Sequence, residues 1–154
     1  MVSEGSGELD AMDVMNDRTF VVHIPATIYG EMVAHVVAGY PNETCGMLGS
    51  KGGQVVKHYL AHNAAEHPDD FSEIGPSDLL AIYEDIDEYD GDGMYYHSHP
   101  RSEAYPSRRD IEWARHNKVP YLIFSHRLYP ASPYARVFSI QDDGTVIEGK
   151  IVVE

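Results

Sequence analysis

The chain has 154 residues, enough for one domain with a sizeable core, and its 43% hydrophobic and 23% charged content is that of an ordinary globular protein. Twenty-five acidic against 11 basic side chains leave a net charge of −14, which opposes attraction to phosphate backbones and anionic lipid, so neither nucleic acid nor membrane is an expected partner. The lone cysteine, Cys45, excludes an internal disulfide and a multi-cysteine zinc knuckle, so any metal must be held by histidine and carboxylate.

Residues 1–18 (MVSEGSGELDAMDVMNDR), rich in Gly, Ser and acid, read as a disordered leader ahead of one domain over residues 19–154. They lack the basic and apolar regions of a secretory signal, and no segment approaches the roughly 20 apolar residues of a membrane span. The expected compartment is the cytoplasm. Phe20–Ile24 has the pattern of a first strand. Pro25 suits the first turn of a helix, and Ile28, Met32, Val33, Val36 and Val37 recur with helical spacing to about Ala38. Gly39-Tyr40-Pro41-Asn42 ends it. Cys45–Gly49 reads as a short apolar strand, Lys51-Gly52-Gly53 as a turn and Gln54–Ala61 as the hairpin partner.

Asn63–Gly75 is polar and punctuated by proline, a loop. Pro76-Ser77-Asp78 opens a second helix with Leu79, Leu80, Ile82, Tyr83 and Ile86 on its apolar side, and Asp90-Gly91-Asp92-Gly93 breaks it. Met94–His97 is a strand and Ser107–Asn117 a third helix. Val119–Phe124, Tyr134–Ile140 and Thr145–Val153 complete the strands, with Asp142-Asp143-Gly144 as the turn between the last two. Strands mixed with helices and joined by hairpin-length turns predict an α/β fold: a single-domain mixed β-sheet sandwiched by helices, with much antiparallel pairing.

The stretch HSHPRSEAYPSRRD, residues 97–110, concentrates the chemistry. In a strand, residues two apart face the same side with α-carbons about 6.6 Å apart. His97 and His99 can therefore aim at one ion with nitrogens at about 2.1 Å, while Ser98 faces away. Pro100–Pro106 is long enough to turn the chain back, so that Asp110 offers a carboxylate from the first turn of the next helix. Two histidines and one aspartate leave the fourth tetrahedral position of zinc open, the arrangement of a catalytic site. A competing account is purely structural: Ser107-Arg108-Arg109-Asp110 matches a helix-capping signature, which by itself explains both Ser107 and Asp110. Spacing alone does not decide between them.

His97, His99, Ser107 and Asp110, with an upstream glutamate in Asn42-Glu43-Thr44-Cys45-Gly46-Met47-Leu48-Gly49, together resemble the JAMM, or MPN-plus, family of zinc metallopeptidases. The likeness runs from about Phe20 to the C-terminus and takes in the Asn63 loop and the PSDLL helix start. It implies a JAMM/MPN, cytidine-deaminase-like fold and one Zn2+ per chain held by His97, His99 and Asp110. It also implies that Glu43 takes a proton from the attacking water and passes it to the leaving amine, and that Ser107 hydrogen-bonds the oxyanion or the water. EAYPSRRD and the overall size look most like the bacterial branch that cleaves cysteine or a peptide from the C-terminus of a small ubiquitin-like sulfur-carrier protein ending in Gly-Gly.

On that resemblance the expected partner is such a carrier, its tail laid as an extended strand along a sheet edge, with the segment around Ala64–Ile74 as one wall of the channel. Arg101 or Arg108 is expected to read the free carboxylate of the released residue, since an arginine fork binds both oxygens. Cys45 is read as packing, as are Trp113, Tyr121 and Tyr129, and the remaining histidines as surface or structural. An isopeptidase acting on lysine conjugates and a zinc-binding scaffold without activity are the other two readings. The oligomeric state is left open, a homodimer included.

Overall fold

The computed structural model describes residues 20–117 and 119–154. The expected leader over residues 1–18 lies outside them. In chain order the elements are β1 (Val21–Ile24), α1 (Ala26–Gly39), β2 (Cys45–Lys51), β3 (Gln54–Leu60), α2 (Pro76–Glu88), β4 (Asp92–His99), α3 (Arg108–Asn117), β5 (Tyr121–Ser125), β6 (Tyr134–Ile140), β7 (Val146–Glu148) and β8 (Lys150–Val153). They form one eight-stranded mixed sheet in the order β7-β6-β5-β4-β2-β3-β1-β8. The central strand β4 pairs antiparallel with β2 and parallel with β5, so it is held on both sides over Tyr95, Tyr96 and His97. Among the described residues no helix is long and apolar enough to cross a membrane.

One expected element divides. The run Thr145–Val153 is two strands, not one: β7 pairs with β6, while β8 pairs with β1 at the other end of the strand order. Only Gly149 separates them, so the sheet curls until its two ends meet there. The Gly149 N–H donates to the Val137 carbonyl and the Lys150 N–H to that of Phe20, each 2.9 Å. A β-carbon at position 149 would lie 2.6 Å from the Phe20 ring, so the switch of partners needs glycine. Val146 and Ile147 before it and Ile151, Val152 and Val153 after it keep a strand-like composition that hides the switch from pattern reading.

Alternation along the central strands splits the core in two. Leu48, Met94, Tyr96, Leu122, Phe124 and Val137 pack with Met32 and Val36, one turn apart on α1. Met47, Tyr95, Ile123 and Phe138 lie on the opposite face with Ile82 and Ile86 of α2 and Ala114 of α3. Each such fully buried side chain stabilises by about 1.5–3 kcal/mol. The sheet is thus covered by α1 on one face and by α2 and α3 on the other. Tyr96 stands opposite Gly46, where a β-carbon would fall 2.5 Å from its ring. That vacancy lets the Tyr96 hydroxyl reach His58 Nε2 at 2.7 Å. Because Tyr96 takes the α1 side, the next residue, His97, emerges on the α2 and α3 side.

Candidate metal centre and its flanking acid

β4 keeps its extended backbone through His99, and the period of two puts His97 and His99 on one face, as the spacing predicts. The chain then turns through residues 100–107 and starts α3. Ser107 and Asp110 cap that helix reciprocally: the Asp110 N–H donates to Ser107 Oγ at 3.1 Å, and the Ser107 N–H donates to Asp110 Oδ2 at 2.9 Å. The cap does not compete with a site. It aims the Asp110 carboxylate at the histidines, with His99 Nε2 at 3.0 Å and His97 Nε2 at 3.4 Å from its two oxygens. One donor atom from each of His97, His99 and Asp110 lies within 4.8 Å of the others, and all three residues are buried.

The donor set suits a cation. His97 is fully buried, yet neither of its ring nitrogens has a hydrogen-bond partner among the described residues. A buried polar atom left in that state is costly unless something else occupies it. His99 Nδ1 lies 2.8 Å from the Glu103 carbonyl, so Nδ1 carries the proton and Nε2 is the atom offered to the centre. Asp110 has a further support, the Tyr121 hydroxyl, which donates to Oδ1 at 3.2 Å. Burial opposes the charge on Asp110, but His97, His99 and the Ser107 N–H outweigh it and hold the carboxyl well below the usual range. Burial works against a charged His99 too, and Asp110 reverses that, raising its pKa.

Glu43 precedes β2, and its Oε1 lies 3.9 Å from His97 Nε2. Its side chain is 11% exposed. Burial pushes its carboxyl up from the ordinary glutamate value, with His97 and His99 pulling the other way. The backbone around it is fixed from two directions. The Glu43 N–H donates to the Pro68 carbonyl at 2.7 Å, and Ser98, the residue that faces away from the histidines, accepts the Thr44 N–H on Oγ at 2.8 Å. Cys45 is buried, and desolvation lifts its thiol to about 11, so it stays a neutral packing residue.

A cleft of about 290 Å³ opens over these groups, with Glu43, His99, Pro100, Ser107 and Arg101 in its walls. Asp69 and Asp70, from the loop expected to wall the channel, line it as well. Arg101 donates to the Asp69 carbonyl at 3.0 Å. Arg108 is exposed and is not a lining residue. Its neighbour Arg109 lines the cleft instead, 3.5 Å from an Asp70 carboxylate oxygen and stacked over the Phe71 ring. Two contributors escape sequence reading. Tyr121, expected only to pack, holds Asp110, and Ser72, whose hydroxyl bonds the Tyr95 hydroxyl at 2.8 Å, lies near enough to the Glu43 carboxyl to lower its pKa. Neither carries a spacing signal, because each reaches the site from a separate part of the chain.

Two imidazoles and a carboxylate converging beside a second, shielded carboxylate, at an open cleft that His99 and Glu43 line, define a metal-dependent hydrolase. The family described as prokaryotic homologs of the JAB domain matches residues 25–140, and the chain belongs to it, on the prokaryotic side of the JAMM metallopeptidases. It is similar to the CysO-cysteine peptidase of Mycobacterium tuberculosis, 32% identical over 139 residues that span 88% of this chain and 93% of that protein. A probable TtuB-protein conjugate cleaving protease of Thermus thermophilus is 32% identical over 108 residues, 68% of this chain and 70% of that protein. Among solved structures, a protein from Desulfitobacterium hafniense superposes with a TM-score of 0.74 at 30% identity, covering 86% of this chain and 92% of that one.

Proposed function

We propose that this chain is a zinc-dependent peptidase, with one zinc per chain, that hydrolyses the bond after the C-terminal Gly-Gly of a ubiquitin-like sulfur carrier and releases cysteine. The observation that carries the reading is the convergence of His97 Nε2, His99 Nε2 and the Asp110 carboxylate beside Glu43, under a cleft that also exposes Ser107. The choice of substrate rests on similarity to the CysO-cysteine peptidase over most of both chains.

His97, His99 and Asp110 would hold the ion. When bound, zinc supplies Lewis acidity, polarising the scissile carbonyl and lowering the pKa of water to about 7. Glu43 takes the proton of the attacking water and delivers it to the leaving amine; a shielded carboxyl with a raised pKa suits both halves of that transfer. Ser107 Oγ accepts the Asp110 N–H, which leaves its hydroxyl proton to donate toward negative charge developing on the scissile oxygen. Glycines at the cleaved end pass through a channel walled by Asp69 and Asp70, where larger side chains would clash. In this reading Arg101 meets the carboxylate of the departing residue; it lines the cleft, as Arg109 does, whereas Arg108 does not. The reaction is placed in the cytoplasm, where a free thiol such as Cys45 stays reduced.

The Thermus relative's name, a protease that cleaves a protein conjugate, favours one other reading: an isopeptidase that removes ubiquitin-like modifiers from lysines. Incubating the zinc-loaded chain with a carrier ending in Gly-Gly-Cys, and separately with a carrier joined to a lysine side chain, separates the two. Loss of one cysteine by mass spectrometry is the expected result. Cleavage of the lysine conjugate alone favours the second reading, and inertness toward both at full metal occupancy overturns the peptidase assignment.

A further inference from the structure

Glu43 lies on a connection between elements, where a backbone is ordinarily free to shift, yet proton transfer to a leaving amine tolerates little misplacement. What fixes it is the amide of one side chain in the loop after β3. Asn63 Nδ2 donates to the Glu43 carbonyl at 2.8 Å and to the Phe71 carbonyl at 2.9 Å. Its Oδ1 accepts the Ala65 N–H at 3.0 Å and the Glu73 N–H at 3.1 Å. All four hydrogen-bonding positions of the amide are thereby used, each on backbone.

The partners fall in a pattern. Ala65, two residues on, closes an Asx turn that starts the loop, and the Ala64 N–H donates to the Glu73 carbonyl at 2.8 Å, so residues 63–73 form a loop whose ends are tied together. Phe71 and Glu73 bracket Ser72, which lies near enough to the Glu43 carboxyl to lower its pKa. Pro68, midway round the loop, accepts the Glu43 N–H. One amide therefore reaches Glu43 by two routes, directly at its carbonyl and through Pro68 at its N–H, while the same loop sets Ser72 near its carboxyl.

We infer that Asn63 is the positioning residue for Glu43, and that the loop over residues 63–73 is as much a mount for that acid as a wall of the cleft. The inference rests on the proposed peptidase reading for the role of Glu43. The position demands an amide: aspartate offers acceptors only, histidine one donor and one acceptor, and alanine neither. Asn63→Asp thus separates the halves of the clamp, since its carboxylate still accepts from Ala65 and Glu73 but can no longer donate to Glu43 and Phe71.

The test uses the zinc-loaded full chain and a carrier ending in Gly-Gly-Cys. Asn63→Asp and Asn63→Ala are each expected to lower kcat about 10–100-fold, with KM changed less than about threefold and metal content unchanged. Asn63→Asp should also keep a higher Tm than Asn63→Ala, because its loop N–H groups remain satisfied. In a Glu43→Gln background, with residual cleavage followed by mass spectrometry over hours, Asn63→Asp should add less than about twofold, because the group it positions is already gone. Amide hydrogen exchange supplies a readout independent of turnover: Asn63→Asp should keep protection at Ala65 and Glu73 and lower it at Glu43, whose N–H bond to Pro68 is no longer backed by the clamp on its carbonyl. An unchanged kcat, an equal loss in both backgrounds, or a Glu43 amide whose protection is unchanged overturns the inference. A wild-type chain that leaves the carrier intact overturns the peptidase reading instead, and the exchange pattern then still decides whether Asn63 holds Glu43 in place.

Discussion

His97, His99, Ser107 and Asp110 come from one stretch of chain, a strand end, a turn and a helix start, whereas Glu43 is held by Asn63 and Pro68, from the loop after β3, with its neighbour Thr44 tied to Ser98 of β4. The first group is organised by local geometry: the period of a strand aligns the histidines, and a helix cap aims the aspartate. The second exists only after β2, β3 and β4 have paired and the loop after β3 has folded back on Glu43. A site can thus have one half fixed by short-range rules and the other by the completed fold, and the two halves should fail differently when altered.

The sharpest separation is expected from Glu43→Gln. It should retain the metal and the fold and lose about 10²–10⁴-fold in carrier cleavage, the range of general acid–base contributions. Metal analysis alongside the cleavage assay checks it, and a variant that loses metal would show that the two halves are not separable. Tyr121→Phe should act on the other half. Removing the hydroxyl that supports Asp110 is expected to weaken metal affinity about 10–100-fold while sparing the Tm of the loaded protein, measured by competition with a chelator.

A smaller effect distinguishes the metal-free state. The depressed Asp110 pKa contributes stability that is complete above its unfolded value of about 3.9 and lost as pH falls toward its folded value. The raised His99 pKa contributes stability that is complete below about 6.5 and lost as pH rises through its folded value. The metal-free chain should therefore lose Tm as pH rises above about 6.5, while the metal-loaded chain, which needs His99 Nε2 unprotonated, gains affinity over the same interval. Thermal melts with and without chelator across that range check the sign. A metal-free Tm that rises over that interval would contradict it.

How much of this was legible from residues follows the same division. Strand and helix positions read well wherever apolar periodicity runs unbroken, as in α1 and α2; spacing allows the histidine pair and the capped aspartate to share an ion but by itself leaves a metal site and a bare helix cap undecided. Glu43 came only through family resemblance, since nothing in its neighbourhood marks it among 25 acids. Tyr121, Ser72 and Asn63 gave no signal because their roles lie in contacts between segments far apart in sequence. Arg108 and Arg109 were indistinguishable in the sequence, and the helical rotation of α3 puts the second of them on the cleft. Gly149 passed unnoticed because a strand that changes partners keeps the composition of a strand.

The account turns on three side chains sharing one divalent ion, and metal content measures that directly. Protein purified without added metal salts, analysed by elemental mass spectrometry, should carry close to one zinc per chain, and His97→Ala less than about a tenth of that while remaining folded. Equal metal content in the two proteins, or no divalent metal taken up by the wild type even when zinc is supplied, would contradict it.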